Sequence, residues 1–479
     1  SIDDSIKELE SRPWLWLVDI SNYVPGDTND CDPEPSFGVC EYHLSQEKHD
    51  LLVKTLGHRF MGMDNGEQDG RYMSYVSQHP RQSRVESYLY LREHFERLES
   101  DLKFRMMSLN SLYYPHYFAI SGYYTAVGAE TAQGLPNDQL FYAFLRGASK
   151  QYGTLIFGDA SIGNRWWGPE GPKSCPFDSN TQSCVCSENG TSLSLLRRLM
   201  IQQTQYGSSL LSFEGGLTCQ ASNGSTLISP IGAIQQAVQN YVTENLVGTH
   251  IVNTAVMLDF FQGFTPPRHL YSSSLYRSWG NHVWDEGDFA SHGVLNMIYP
   301  DYERASYFHN ESGFLTGTPF NDATDVLLAD TPLWLLNRYS IVILFSGVRD
   351  MKEELRYKLE AYVNQGGTLV VNSRTLRDLA IFGVGGSNLV ADVTISKGTK
   401  IETKTASIVE SVPVRFAQTI PGLPNDASVV AETSQHQNLA YSLSRGHGTW
   451  CSSENLSFIL HLHMALRECQ LYHSLMEYH

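Results

Sequence analysis

The chain has 479 residues, 42% hydrophobic and 11% aromatic, a composition that excludes a disordered protein and exceeds one small core. Its formal charge of −17 disfavours a phosphate backbone or an anionic membrane surface, so no nucleic-acid partner is expected. No apolar run reaches the roughly 18 residues of a membrane span, and the start at Ser1, without a signal-like segment, predicts a processed product.

Taken in order, Trp14–Ile20 reads as a first strand ending beside an aspartate, and residues 41–57 read as a helix. A strand at 58–64 follows and breaks into Asn65-Gly-Glu-Gln-Asp-Gly-Arg71, where an apolar run gives way to small, acidic and amide residues. Buried parallel strands deliver polar groups to the carboxyl edge of a barrel in this way. Glu67, Asp69 and Arg71 are therefore expected over one rim, although a glycine-rich acidic loop can also simply cap a helix. The spacing predicts a long helix over 84–107 and a strand over 117–122 that leads through Tyr123 and Tyr124 to Glu130. A helix at 137–151 precedes a strand at 154–159 that ends in Asp159, with Trp166 and Trp167 beyond it. Helices at 192–205 and 230–246 precede strands at 208–214, ending in Glu214, and at 250–259. This strand–helix alternation predicts an α/β fold with a (β/α)8-type barrel over residues 1–265, six of its strands recognisable and two unassigned.

The texture changes after Pro266-Pro267. Strand-like runs at Val326-Leu-Leu and 339–345, a helix at 350–364 and a strand opening at Gly366-Gly-Thr predict a second α/β domain over 266–384. Short alternating runs such as 390–395 and 407–416 predict a small β-rich C-terminal module over 385–479.

Eight cysteines, at 31, 40, 175, 184, 186, 219, 451 and 469, make an even number set in loop-like sequence. Cys31 and Cys40 bracket an Asp-Pro-Glu-Pro segment that reads as a closed surface loop, and Cys175, Cys184, Cys186 and Cys219 lie in or near a polar insertion. They predict disulfides of open pairing in a secreted, extracellular protein. The sequons at Asn189, Asn223, Asn310 and Asn455 agree with a glycoprotein. Cys184-Val-Cys186 has the wrong spacing for a zinc knuckle, so neither a metal nor another cofactor is expected.

Two stretches resemble the β-galactosidases of glycoside hydrolase family 42. Thr254-Ala-Val-Met-Leu-Asp-Phe-Phe-Gln-Gly-Phe-Thr-Pro-Pro267 is similar to the strand and turn that close such a barrel. Residues 319–372, with Tyr339-Ser-Ile-Val-Ile-Leu and Gly366-Gly-Thr-Leu-Val-Val-Asn, are similar to the amidotransferase-like domain after it. The resemblance implies a carbohydrate ligand, a retaining mechanism and a second domain that is structural or oligomer-forming, a possible route to a homo-oligomer. Asn372-Ser373 stands where an active amidotransferase carries its cysteine, so glutamine hydrolysis is not implied. The family places an Asn-Glu pair at the end of its fourth barrel strand, and none of the strand ends read here carries one.

Glycoside hydrolysis needs two carboxyl groups across the sugar. Glu67 and Glu214 are the leading catalytic candidates, with Glu130 third; each could instead cap a helix or pair with an arginine. Asp69, Arg71 and Asp159 are expected to bind substrate, and Tyr123, Tyr124, Trp166 and Trp167 to stack on a sugar face or to pack ordinarily. The 26 tyrosines point the same way. His282, Trp284, Asp285 and Glu286 form a polar–aromatic loop expected to cover the site. The rival reading is a non-catalytic carbohydrate-binding, storage or matrix glycoprotein on the same scaffold.

Overall fold

A computed structural model describes residues 46–64, 80–102, 106–110, 112–122, 124–132, 137–161, 193–213, 230–245, 247–265, 276–300, 322–346 and 353–372. It also describes 7, 10, 16–19, 30–31, 40–41, 69, 228, 302, 391–395, 400–403, 407–409, 414–419, 427–433, 435–436, 438–445 and 448–453. The chain divides into two compact units. The first comprises Ser1–His250, Gly263–Val283 and Asp301–Thr316; the second comprises Ile251–Gln262, Trp284–Pro300 and Gly317–His479. Among the described residues no helix is long and apolar enough to cross a membrane.

The first unit begins with β1 (Trp16–Asp19) and a short hairpin, β2 (Asp30–Cys31) and β3 (Cys40–Glu41). Then come α1 (Gln46–Leu56), β4 (Phe60–Asp64), α2 (Arg84–Leu102), β5 (Met106–Asn110), α3 (Pro115–Ala119) and β6 (Tyr124–Ala132). The unit continues through α4 (Asn137–Tyr152), β7 (Leu155–Ser161), α5 (Leu193–Gln205), β8 (Ser208–Phe213) and α6 (Pro230–Glu244). Its sheet runs β1-β4-β5-β6-β7-β8 with every pair parallel. Six strands form it among the described residues, and β1 and β8 are its two edges.

Two expected strands are corrected. Residues 117–122, expected as a strand, begin in helix α3 and end in the turn after it, with Pro115 at the helix's first turn, where a missing N–H costs nothing. Tyr117, Phe118 and Ala119 are all buried, and a short run apolar on every side carries no period to separate helix from strand. The strand of this region is Met106–Asn110, which the expected helix over 84–107 had partly absorbed. Likewise Thr254–Leu258 (β9), expected to close the barrel, pairs with strands of the second unit.

The 263–283 segment belongs to the first unit and carries the hairpin β10 (Arg277–Ser278) and β11 (His282–Val283). Trp279 is fully buried against Tyr88, Tyr114 and Tyr117, with centroids 6.4, 5.0 and 4.8 Å away. Tyr113 stacks on Phe144 at 4.7 Å, and Phe264 lies parallel to both. Many of the tyrosines thus fill the core, where the composition had suggested ligand-stacking surfaces. Gly263, at φ 56°, seats the returning chain: its N–H donates to Tyr117 Oη at 3.1 Å and its carbonyl accepts from Tyr114 Oη at 3.2 Å.

His282 does not lie in a free covering loop. Its Nε2 meets Ser87 Oγ on α2 at 3.0 Å, while Arg84 Nη2 reaches the Val283 carbonyl at 3.4 Å. Burial lowers the imidazole pKa and the nearby Arg84 lowers it further, against smaller raising influences from the Ser83 backbone and Glu86; Arg277 adds the least.

The second unit places β9 between β12 (Thr324–Leu328) and β13 (Ile341–Leu344), with β14 (Thr368–Val371) beyond, all parallel. The connecting helices are α7 (Glu286–Ile298), α8 (Leu333–Leu336) and α9 (Glu353–Asn364). Every residue of β9, β12, β13 and β14 is buried, which suits the apolar runs at 255–258, 326–328, 341–344 and 369–371 within them. Asp285, expected in the covering loop, caps α7: its carboxylate accepts from Asp288 N at 3.2 Å, and Asp288 accepts from Asp285 N at 2.9 Å. Trp284 is buried against Phe289 and His292, and Glu286 opens the helix.

Beyond residue 372 the described residues include seven strands. They are β15 (Ala391–Ile395), β16 (Lys400–Thr403), β17 (Ser407–Val409), β18 (Val414–Thr419), β19 (Ser428–Thr433), β20 (Asn438–Arg445) and β21 (Gly448–Ser453). Strand β21 pairs parallel with β14, so the α/β sheet runs on into the antiparallel strands β20, β19, β16 and β17, nine strands in all. Strands β15 and β18 pair separately.

Two predictions follow from the packing of the returning segment. A β-carbon on Gly263 would lie 2.1 Å from Trp279 Nε1 on a left-handed backbone, so Gly263→Ala should lose about 2–3 kcal/mol in denaturant unfolding. For His282, the unfolded chain binds more protons between its lowered folded pKa and the unfolded value of about 6.5. Stability should therefore increase as pH rises through that window, and His282→Gln should flatten the increase in a series of melting curves.

Candidate functional site

In a parallel barrel sheet the carboxyl edge carries the variable chemistry. The two faces of the sheet are fixed by packing. Ala160 and Leu211 pack with Leu196, Leu199 and Met200 of α5, so their face meets the helices. Met107, Leu109, Ala126 and Phe157 cluster on the other face with Leu210, which is the interior of the unit. On that face a β-carbon at Gly128 would sit 2.6 Å from the Phe157 ring, so the glycine leaves the space that the ring occupies.

Two residues nearer the carboxyl edge, the strands carry polar residues. Glu130 of β6 is in register with Asp159 of β7, and Asp159 with Ser212 of β8. Asp159 is buried, and Ser212 Oγ donates to its Oδ1. Asp64 ends β4 and is also buried. Asn110 ends β5, fully buried, with Nδ2 donating to the Ser108 and Gly128 carbonyls at 3.1 Å each. The carboxyl edge thus sets a glutamate position, an aspartate and a serine across three adjacent strands above a floor of Phe157 and Leu210. Interstrand spacing near 4.8 Å brings such groups within reach of one small polar ligand.

Several expected site residues fall elsewhere. Asp69 is fully buried and accepts from Leu112 N at 2.9 Å, tying the chain after β4 to the chain after β5. Tyr124 is a core side chain, set edge-on to Phe118 at 5.1 Å, and is not available to stack on a sugar. Glu67, Arg71, Tyr123, Trp166, Trp167 and Glu214 lie outside the described residues, as do Cys175, Cys184, Cys186, Cys219 and the four sequon asparagines Asn189, Asn223, Asn310 and Asn455. Sequence reasoning missed Asn110, because its strand, Met106–Asn110, was partly absorbed into the expected helix and was not recognised. It also missed Ser212, whose signal was the alternation Leu210-Leu-Ser212 that puts it on the face of Leu210. Among the described residues no group of three His, Cys, Asp or Glu side chains could hold a metal ion.

The second unit has a reversal of strand order between β9 and β13, the usual ligand crevice of a doubly wound sheet. Here the crevice is filled from within. Asp259 N donates to Ser346 Oγ at 3.2 Å, and Asp259 Oδ1 accepts from Phe261 N at 2.9 Å. A β-carbon on Gly287 would lie 2.0 Å from the Ser346 carbonyl oxygen, so α7 is pressed directly on this strand end. Asn372, at the end of β14, spends its amide on the Phe345 carbonyl at 2.8 Å.

No protein-family profile matches the sequence, and no curated protein matches it. Solved structures do. A β-galactosidase from Bacillus circulans sp. alkalophilus superposes with a TM-score of 0.51 at 13% identity, over 84% of this chain and 57% of that one. A family 42 β-galactosidase from G. stearothermophilus gives 0.48 at 12% identity, over 84% and 57%. An exo-β-1,4-mannosidase from Opitutaceae bacterium strain TAV5 gives 0.47 at 10% identity, over 88% and 75%. The chain spans a little under three fifths of the length of these β-galactosidases. The first match covers more of the chain than either unit contains, and it shows the fold: a glycoside-hydrolase-like parallel barrel sheet followed by an α/β domain.

Proposed function

We propose that the protein is a glycoside hydrolase whose general acid/base is Glu130. The register of Glu130, Asp159 and Ser212 across β6, β7 and β8 carries this reading. Counted along the sheet, β6 is the fourth strand. Family 42 enzymes, which the sequence resembles, hold their acid/base glutamate at the end of strand four. No Asn-Glu pair stands there because Ala129 precedes Glu130, and the sequence reading did not recognise residues 124–132 as a strand.

In this mechanism Glu130 protonates the glycosidic oxygen as the bond breaks and then takes a proton from the incoming water. The opposing carboxylate is Glu67 or Glu214: in the sequence Glu67 follows β4 by three residues and Glu214 directly follows β8. For retention, the two carboxyl groups stand about 5–5.5 Å apart. Asp159, oriented by Ser212, accepts from a sugar hydroxyl and fixes the ring against Glu130. The neighbours' names suggest β-galactosides and β-mannosides as substrates. Secretion and glycosylation rest on the sequons and the even cysteine count.

One observation favours a second reading. Ala129 removes the amide that the family sets beside its acid/base, which suits a sugar-binding protein that has lost turnover. Aryl β-galactosides and β-mannosides separate the two. The enzyme should release aryl alcohol, and Glu130→Gln should lower kcat/KM by about 10²–10⁴-fold. Unchanged turnover in Glu130→Gln would remove Glu130 from the mechanism. Sugar binding by calorimetry without any hydrolysis by the wild type would favour the binding protein.

A further inference from the structure

We propose that Cys31 and Cys40 form a disulfide that closes the first loop on the carboxyl edge of the first unit's sheet. The two residues are Cα partners in the antiparallel pair β2–β3. Directly opposed residues in such a pair have Cα atoms about 4.5–5.5 Å apart, inside the roughly 4.4–6.8 Å that a disulfide spans. The remaining described cysteine, Cys451, sits in β21 opposite Val370 and Ser442, with no cysteine facing it.

The described part of the hairpin is short and weakly paired. It has two residues per strand, and isolated two-stranded hairpins are marginal even when longer. Its other register pair is Asp30 opposite Glu41, two like charges across the strands, which opposes the pairing. The intervening Asp32-Pro-Glu-Pro stretch has two prolines, which donate no backbone hydrogen bond. A covalent link between the opposed cysteines supplies the missing constraint.

The bond forms by thiol–disulfide exchange with an external disulfide such as oxidised glutathione. The Cys31 thiolate attacks one sulfur and releases a glutathione thiol; the Cys40 thiolate then attacks the mixed disulfide and releases the second. Two protein thiols are oxidised and one glutathione disulfide is reduced to two thiols. The hairpin lies in the connection that leaves the carboxyl end of β1 for α1, so the link shortens the free length of a loop on the edge that carries Glu130 and Asp159. This inference does not depend on hydrolytic activity.

The test uses the full chain equilibrated in a glutathione buffer of oxidising poise. Free thiols are alkylated in denaturant, and the peptides are mapped without reduction. The expected result is one joined peptide containing Cys31 and Cys40, two hydrogens lighter than the sum of its parts and separable by dithiothreitol. Alkylation of both cysteines before reduction would overturn the proposal. So would a link from either one to Cys175, Cys184, Cys186, Cys219, Cys451 or Cys469, or to a second chain. In Cys31→Ser the expected change is one new free thiol, at Cys40; a new free thiol elsewhere contradicts the pairing. If that variant does not fold, the wild-type map decides alone.

Discussion

The interior of the first unit depends on one substitution of volume: Gly128 has no side chain, and the Phe157 ring of the neighbouring strand takes the space. That exchange lets β6 and β7 lie in register with an aromatic floor between them. Two residues further along each strand stand the register partners Glu130 and Asp159. Dense interiors transmit any change of volume to their neighbours, so the polar positions are only as well placed as the floor beneath them. The backbone imposes the rest. Parallel strands buried on both faces can vary little along their length, and chemistry is confined to the edge where the strands end.

The second unit uses the same parallel architecture without leaving its crevice open. Asp259, Ser346 and Gly287 bring strand ends and a helix start into contact at the point where such sheets usually admit a ligand. Its strength is in its core, where Met257, Leu327, Leu344, Leu359 and Leu369 belong to one buried cluster. Strand β21 extends the sheet into the antiparallel region and so covers the edge that β14 would otherwise expose.

Much of the fold was legible because the long helices are amphipathic and the strands between them are apolar runs bounded by turns. The expected helices over 84–107, 137–151, 192–205 and 230–246 correspond to α2, α4, α5 and α6. Two things were not legible. Short runs apolar on every side, such as Tyr117-Phe-Ala, look alike as helix or strand. Nor does a strand's sequence name its sheet: Thr254–Leu258 reads as a buried parallel strand in either unit, and only its pairing with β12 and β13 decides.

The site was legible to the same depth. Glu130 and Asp159 stood out as carboxylates near strand ends. Asp69 and Tyr124 were misjudged because burial, which turns a rim aspartate into a loop clamp and a tyrosine into core, is a tertiary property. Ser212 went unread because a single serine after two leucines means little until its partner Asp159 is known.

The central claim is that the carboxyl edge of the first unit, at Glu130 and Asp159, is where a sugar ring binds. It is tested most directly by a crystal structure with a glycosidase inhibitor shaped as a charged sugar ring, such as an iminosugar of galacto or manno configuration. The account predicts the ring over Phe157, with its nitrogen or hydroxyls within about 3 Å of the Glu130 and Asp159 carboxylates. A ring bound elsewhere on the chain, with this edge empty at saturating inhibitor, would contradict it.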